Sequence, residues 1–332
     1  MQVLLISMFV CTVMILLLRK IAHEFNIIDR PGGRKQHEHP TPTVGGLAMF
    51  VAVLTALLLS DGIQGNISVL MGCAAALVVL GVLDDKHGLP VTLRMMIQVF
   101  LVTVVIVGAD GTITHLGTIV GEDILLGMFA VPFSVFAFVG GINAINMIDG
   151  ADGMAGKMAL ITTLGVAAIF HLAGADGLLP MTWALLGALL GFLFLNSRLF
   201  VKRAWVFMGD AGSMWLGLVL GWFMAQVTRG EVSAEPALVF WLFGIPLIDT
   251  LVVMARRMRR KRSPFAGDRT HIHHVLEHAG LSVRKSVLIL SFAQLVLVAI
   301  GTAYYYFETP GWLVFWSFAV VVAVYYYWLR NT

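Results

Sequence analysis

Predominantly apolar stretches of about 20 residues, the length that crosses a bilayer core of about 30 Å as a helix, recur along the whole chain. Between them there is little charge. Only 12% of the 332 residues are Asp, Glu, Lys or Arg, while 59% are hydrophobic. Soluble domains carry about 25% charged residues, and so few charges cannot cover a water-facing surface. An ordinary soluble protein, a nucleic-acid binder and a disordered chain are therefore excluded. The runs are continuous, not alternating, which favours helices over a membrane β-barrel. Cys11 and Cys73 both lie inside apolar runs, so neither a disulfide framework nor a cysteine-built metal site is expected.

The runs predict an all-α, polytopic membrane protein, a single membrane-embedded domain over 1–332. About eleven spans are expected, at 1–18, 44–60, 66–82, 93–109, 124–147, 156–174, 178–195, 212–228, 236–255, 286–304 and 310–329. Residues 1–18 read as a first span and not a removable signal peptide, because Arg19 and Lys20 follow the run instead of preceding it. With this count every Lys and Arg except Arg229 falls on one side of the membrane. Basic residues favour the cytoplasm, which puts the N-terminus outside and the C-terminus inside. The basic run from Arg256 to Arg262 serves as a topological anchor and also suits anionic lipid head groups.

Five polar stretches fall on that same side. One runs from Asp29 through Arg34, Lys35 and His37 to Pro42, Gly45 and Gly46. Asp84 and Asp85 close the third span; adjacent carboxylates at a membrane edge repel one another unless a cation compensates. Asn143, Asn146, Asp149 and Asp152 follow at three-residue spacing, with glycines that favour a turn; such amides and carboxylates suit a nucleotide base or sugar. Asp210 sits in Gly209-Asp210-Ala211-Gly212-Ser213, where glycines allow close backbone approach, a helix N-terminus offers N–H groups to phosphate and an Asp suits Mg²⁺. The last stretch holds Arg269, His271, His273 and His274, which match no zinc spacing and suit phosphate instead. For each stretch the plain alternative is a helix cap or a solvated loop. Together they fit phosphoryl transfer from a soluble phosphorylated donor to a lipid acceptor, with metal offsetting the charge on phosphoryl oxygens. A transporter would need a polar site in mid-membrane and a route across.

These stretches, in this order, resemble the polyprenyl-phosphate N-acetylhexosamine-1-phosphate transferases. The resemblance runs from about residue 25 to 285. It rests on Asp29-x-Pro31-x-x-Arg34-Lys35-x-His37, Gly81-Val82-Leu83-Asp84-Asp85, Asn143 through Asp149-Gly150-Ala151-Asp152-Gly153, Val206 through Ser213, and Asp268-Arg269-Thr270-His271-Ile272-His273-His274. The last two spans add little to it beyond topology. The histidine stretch resembles the GlcNAc-1-phosphate branch.

The resemblance implies a glycosyltransferase family 4 type domain in the bacterial inner membrane, with its active site on the cytoplasmic face. It implies UDP-GlcNAc as donor, undecaprenyl phosphate as acceptor, and undecaprenyl-diphospho-GlcNAc and UMP as products. Another UDP-N-acetylhexosamine is the alternative donor, and a lipid-linked sugar transporter or a membrane scaffold the alternative class. Mg²⁺ is the implied cofactor, with Mn²⁺ the alternative, at Asp210, Asp84 and Asp149. Asp84, Asp85 and Asp210 are the implied catalytic residues. Asn146, Asp149, Asp152, Arg269, His271, His273 and His274 are the implied substrate-binding residues, with Arg34, Lys35 and His37 in a phosphate role. Lys86 and Arg94 are placed either to attract the acceptor phosphate or to anchor the span. Membrane lipids are further partners, homodimers occur in the family, and no nucleic acid is expected.

Overall fold

The computed structural model describes residues 1–30, 40–149, 153–201, 203–261 and 271–331. The helices, in chain order, are α1 (Gln2–Ile21), α2 (Gly45–Leu58), α3 (Gly65–His87), α4 (Val91–Gly108), α5 (Ala130–Ile148), α6 (Met154–Leu172), α7 (Leu179–Asn196), α8 (Gly209–Val227), α9 (Leu238–Leu242), α10 (Gly244–Arg259), α11 (Ile272–His278), α12 (Val283–Tyr306) and α13 (Gly311–Asn331). Four short strands accompany them: β1 (Ile28–Asp29) pairs antiparallel with β2 (Thr41–Pro42), and β3 (His115–Thr118) with β4 (Asp123–Leu125). The all-α expectation thus holds except for two small ribbons. The first pairs Ile28–Asp29 with Thr41–Pro42; Arg34, Lys35 and His37, between them in sequence, lie outside the described residues.

The protein is a polytopic membrane protein. Among the described residues eight helical segments are long and apolar enough to cross a bilayer: Gln2–Ile21, Gly65–His87, Val91–Gly108, Gly127–Ile148, Met154–Leu172, Asp176–Asn196, Val283–Tyr306 and Gly311–Leu329. The other three expected spans take different forms. The α2 helix has 14 residues, about 21 Å at 1.5 Å per residue, which falls short of the bilayer core. The α8 helix is buried along nearly its whole length, with α2, α3, α5 and α6 packed around it. Protein surrounds it, so it tolerates Asp210, Ser213 and Gln226 where a lipid-facing helix would not.

The third, 236–255, is broken between α9 and α10, and the cause is Pro246. Proline has no N–H to give to the carbonyl four residues back, so the Leu242 carbonyl loses its helical partner. It receives the Thr162 hydroxyl at 2.9 Å and the Gln294 amide, also at 2.9 Å. The Gln294 carbonyl accepts the Ile245 N–H at 2.8 Å. One buried side chain from α12 thus satisfies both sides of the break. Gln294→Leu keeps the volume and leaves the Ile245 N–H orphaned in an apolar core, at a cost of about 2 kcal/mol. Thermal unfolding in detergent should show a lowered Tm; an unchanged Tm would remove Gln294 from this role.

The α3, α4, α5 and α8 helices bring their polar ends to one end of the bundle. Two close backbone approaches lock α3 and α2 against α8 there. A Cβ on Gly81 of α3 would lie 2.2 Å from the Ala211 Cα of α8, and one on Gly46 of α2 would lie 2.1 Å from the Gly212 Cα. Segment 206–208 is tied in as well: Phe207 N–H donates to the Pro42 carbonyl at 2.8 Å, and Gly46 N–H to the Met208 carbonyl at 2.9 Å.

Candidate active site

At this end of the bundle Asp84, the last-turn carboxylate of α3, is 6% exposed. Its Oδ1 accepts the Leu89 N–H at 2.7 Å, and its Oδ2 meets the Arg94 guanidinium of α4. The same Arg94 nitrogen lies 3.5 Å from Asp210 Oδ2 at the start of α8. Asp210 Oδ1 accepts the Asn146 amide of α5 at 2.5 Å, and that amide also donates to the Ser213 hydroxyl at 2.9 Å. Asp84, Arg94, Asn146 and Asp210 therefore form one cluster drawn from four helices.

Asp85 does something different. Its carboxylate accepts the Asp210 N–H at 3.0 Å and the Ala211 N–H at 3.5 Å. Helix N-termini leave N–H groups unpaired and carry partial positive charge, so Asp85 caps α8 from a neighbouring helix. Neighbouring residues in sequence thus take separate tasks: Asp85 anchors the helix start, and Asp84 faces Arg94 and Asp210.

The Asp84, Asp85 and Asp210 carboxylates and the Asn146 amide oxygen are all hard oxygen donors, with no thiolate or imidazole among them. That chemistry fits Mg²⁺ or Mn²⁺. Among the described residues no three acidic, His or Cys side chains are grouped tightly enough to enclose an ion, and Arg94 supplies positive charge between Asp84 and Asp210. Asp149 stands at the C-terminal end of α5, where the helix stops, and is partly buried. Asp152 and Arg269 lie outside the described residues.

The histidines form a second cluster, beside α10, which packs against α5. Asp249 of α10 is 2% exposed. Its Oδ2 is 2.7 Å from His271 Nδ1, and its Oδ1 accepts the Ile272 N–H at 3.0 Å. A carboxylate can only accept, so His271 Nδ1 donates in this contact. His273 lies in a stack between His271 and His274, with centroid distances of 6.2 and 4.0 Å. It is buried, and among the described residues neither of its ring nitrogens has a hydrogen-bond partner. An orphaned buried imidazole is costly unless a ligand meets it. His274 Nδ1 is 3.8 Å from Glu277.

Burial, reinforced by the charge on His274, pushes the His273 pKa down to about 3. The ring is neutral at pH 7. Unfolded, it takes a proton near pH 6.5, so below that pH the unfolded chain binds a proton that the folded ring refuses. Stability therefore falls with pH from 6.5 toward 3, by about 2 kcal/mol between pH 7 and 5. The Tm in detergent should drop more over that interval for the wild type than for His273→Gln. Equal drops would contradict the depressed pKa.

Sequence reasoning did not single out Asp249. Its signal was there: a carboxylate inside an apolar span is functional by default. Arg94 was read as a phosphate attractor or a surface anchor; the structure makes it the cation that links two of the acidic residues.

Comparison with known proteins accords with this arrangement. Residues 67–228 match the family model of glycosyl transferase family 4. The chain is 34% identical over 331 residues to an undecaprenyl-phosphate alpha-N-acetylglucosaminyl 1-phosphate transferase of Salmonella typhi, covering 98% of this chain and 90% of that protein. The Escherichia coli (strain K12) protein of the same description is 32% identical over the same shares. The Haemophilus influenzae one is 31% identical, covering 94% of this chain and 89% of its own. The chain belongs to the polyprenyl-phosphate N-acetylhexosamine-1-phosphate transferases of glycosyl transferase family 4.

Proposed function

We propose that the protein transfers GlcNAc-1-phosphate from UDP-GlcNAc to undecaprenyl phosphate, giving undecaprenyl-diphospho-GlcNAc and UMP. The observation that carries this is the meeting of Asp84, Arg94, Asn146 and Asp210 in a chain related over 98% of its length to an undecaprenyl-phosphate alpha-N-acetylglucosaminyl 1-phosphate transferase. The protein is set in the bacterial inner membrane with this end toward the cytoplasm, the N-terminus outside and the C-terminus inside. The segments of α2, α8 and the broken α9–α10 complete eleven passages. The support is electrostatic: Lys86 and Arg94 lie at the end that carries Asp84, and Arg256, Arg257 and Arg259 crowd the last turn of α10.

In the reaction a phosphate oxygen of the lipid attacks the β-phosphorus of the donor, a new P–O bond forms, and the bond to UMP breaks. Direct attack is favoured over a phospho-enzyme because both candidate nucleophiles are occupied. Asp84 is held by Arg94 and the Leu89 N–H, and Asp85 by two N–H groups of α8; hydrogen bonds to a carboxylate weaken it as a nucleophile. Arg94 is placed to trade Asp84 for a substrate phosphate. Asn146 and Ser213 fix Asp210. The His271, His273 and His274 stretch holds the donor's phosphates or sugar, with Arg269 and Asp152, while Arg34, Lys35 and His37 serve phosphate from the first loop. Asp210, Asp84 and Asp149 would hold Mg²⁺, which supplies charge neutralisation on the donor diphosphate and the leaving UMP.

Purified protein in detergent, given undecaprenyl phosphate and Mg²⁺, should release UMP from UDP-GlcNAc and not from UDP-GalNAc or UDP-MurNAc-pentapeptide. Release from another of these donors alone would reassign the sugar. A transporter would move label across a vesicle membrane without UMP release.

A further inference from the structure

Asp249 has a third partner, from a part of the chain far from the sequence motifs. The Tyr325 hydroxyl of α13 donates to Asp249 Oδ1 at 3.0 Å. One buried carboxylate thus gathers donors from the His271 ring, the first residue of α11 and the last helix of the bundle. Around it on α10 lie the buried apolar side chains of Ile248, Val252 and Val253, with Thr250 as a buried polar neighbour. Packing alone gives no reason for a charge here, and an ionised carboxylate in such surroundings persists only when hydrogen-bond donors converge on it. All three donors do converge, and one of them is the ring of a motif histidine.

We propose that Asp249 and Tyr325 are positioning residues for the donor-binding histidines, so that α13 takes part in building the active site. Tyr325 fixes the carboxylate. The carboxylate in turn fixes the His271 ring through Nδ1 and the start of α11 through the Ile272 N–H. Nε2, the other ring nitrogen, is thereby held in a set orientation. This rests on the reading that the histidine stretch contacts UDP-GlcNAc.

The test uses the full-length protein in detergent and varies the two substrates separately. Tyr325→Phe removes one hydroxyl and keeps the ring. It should raise the KM for UDP-GlcNAc by about fivefold, equivalent to about 1 kcal/mol, and leave the KM for undecaprenyl phosphate unchanged. Asp249→Asn should raise the donor KM by more than tenfold, the scale of a lost hydrogen bond to a charged group. In a His271→Ala background Tyr325→Phe should add nothing, because its effect passes through that ring. A purely structural role predicts the opposite pattern: less active protein, no selective KM change, and the same further loss with or without His271. That pattern would overturn the proposal, and so would an unchanged donor KM in Tyr325→Phe. If Asp249→Asn does not fold, Tyr325→Phe decides alone. If His271→Ala raises the donor KM and Tyr325→Phe does not, the positioning role fails while the histidine site stands. If His271→Ala itself leaves the donor KM unchanged, the donor-site reading falls and the proposal with it.

Discussion

Asp210→Asn should lower turnover by about 10³-fold or more, the scale seen when a preorganised electrostatic group is removed from an active site, while leaving the fold intact. Aspartate and asparagine have nearly the same volume. The start of α8 does not depend on the Asp210 side chain, because Asp85 caps it through the backbone N–H groups of Asp210 and Ala211. What the substitution removes is charge. Asp210 Oδ2 faces Arg94 at 3.5 Å and Oδ1 receives the Asn146 amide; it is also one of the residues proposed to hold Mg²⁺. A kcat comparison, with the Tm of both proteins measured alongside, checks this. Turnover near the wild-type level would remove Asp210 from the chemistry.

The second large effect is expected at a glycine that bears no chemistry. In Gly81→Ala the new Cβ would sit 2.2 Å from the Ala211 Cα and 2.3 Å from its nitrogen. Both are backbone atoms, so no side chain can swing aside, and α3 and α8 must separate by about 1 Å or more to restore contact. Asp84 is three residues further along α3, and Asp210 precedes Ala211. A misplacement of about 1 Å between reacting groups costs about 10²-fold in rate. Activity should fall by at least that factor, with a lowered Tm. Gly72→Ala is the control on the same helix, since a Cβ there meets nothing within 4 Å; it should behave as wild type. Equal behaviour of the two variants would mean that this approach does not hold the site together.

The acidic cluster was legible because its members carry their own signal. Asp84, Asn146 and Asp210 interrupt apolar sequence at span ends, beside glycines, and the structure brings all three together. The division of labour between Asp84 and Asp85 was not legible, since it depends on which carboxylate points at the α8 N-terminus from another helix. The helices followed from apolar run length, which says nothing of what surrounds each run. Hence α8 counted as a lipid span, although protein encases it. Pro246 offered a visible reason to doubt an unbroken span at 236–255; what sequence could not show is the side chain from α12 that makes the break tolerable. The ribbons β1–β2 and β3–β4 are too short to leave an alternating pattern. Tyr325 lies in a C-terminal run that reads as topology alone, and its contact with Asp249 spans 76 residues of sequence. Long-range contacts made by common residue types leave no local trace.

The central claim is that a GlcNAc-1-phosphate group moves to a polyprenyl phosphate. The most direct test is mass spectrometry of the lipid fraction after purified protein is incubated with UDP-GlcNAc, undecaprenyl phosphate and Mg²⁺, with UMP quantified in the same samples. The expected result is undecaprenyl-diphospho-GlcNAc in amounts equal to the UMP released, with neither formed by Asp210→Asn. Unchanged lipid and no UMP, with an active relative running in parallel, would contradict the account.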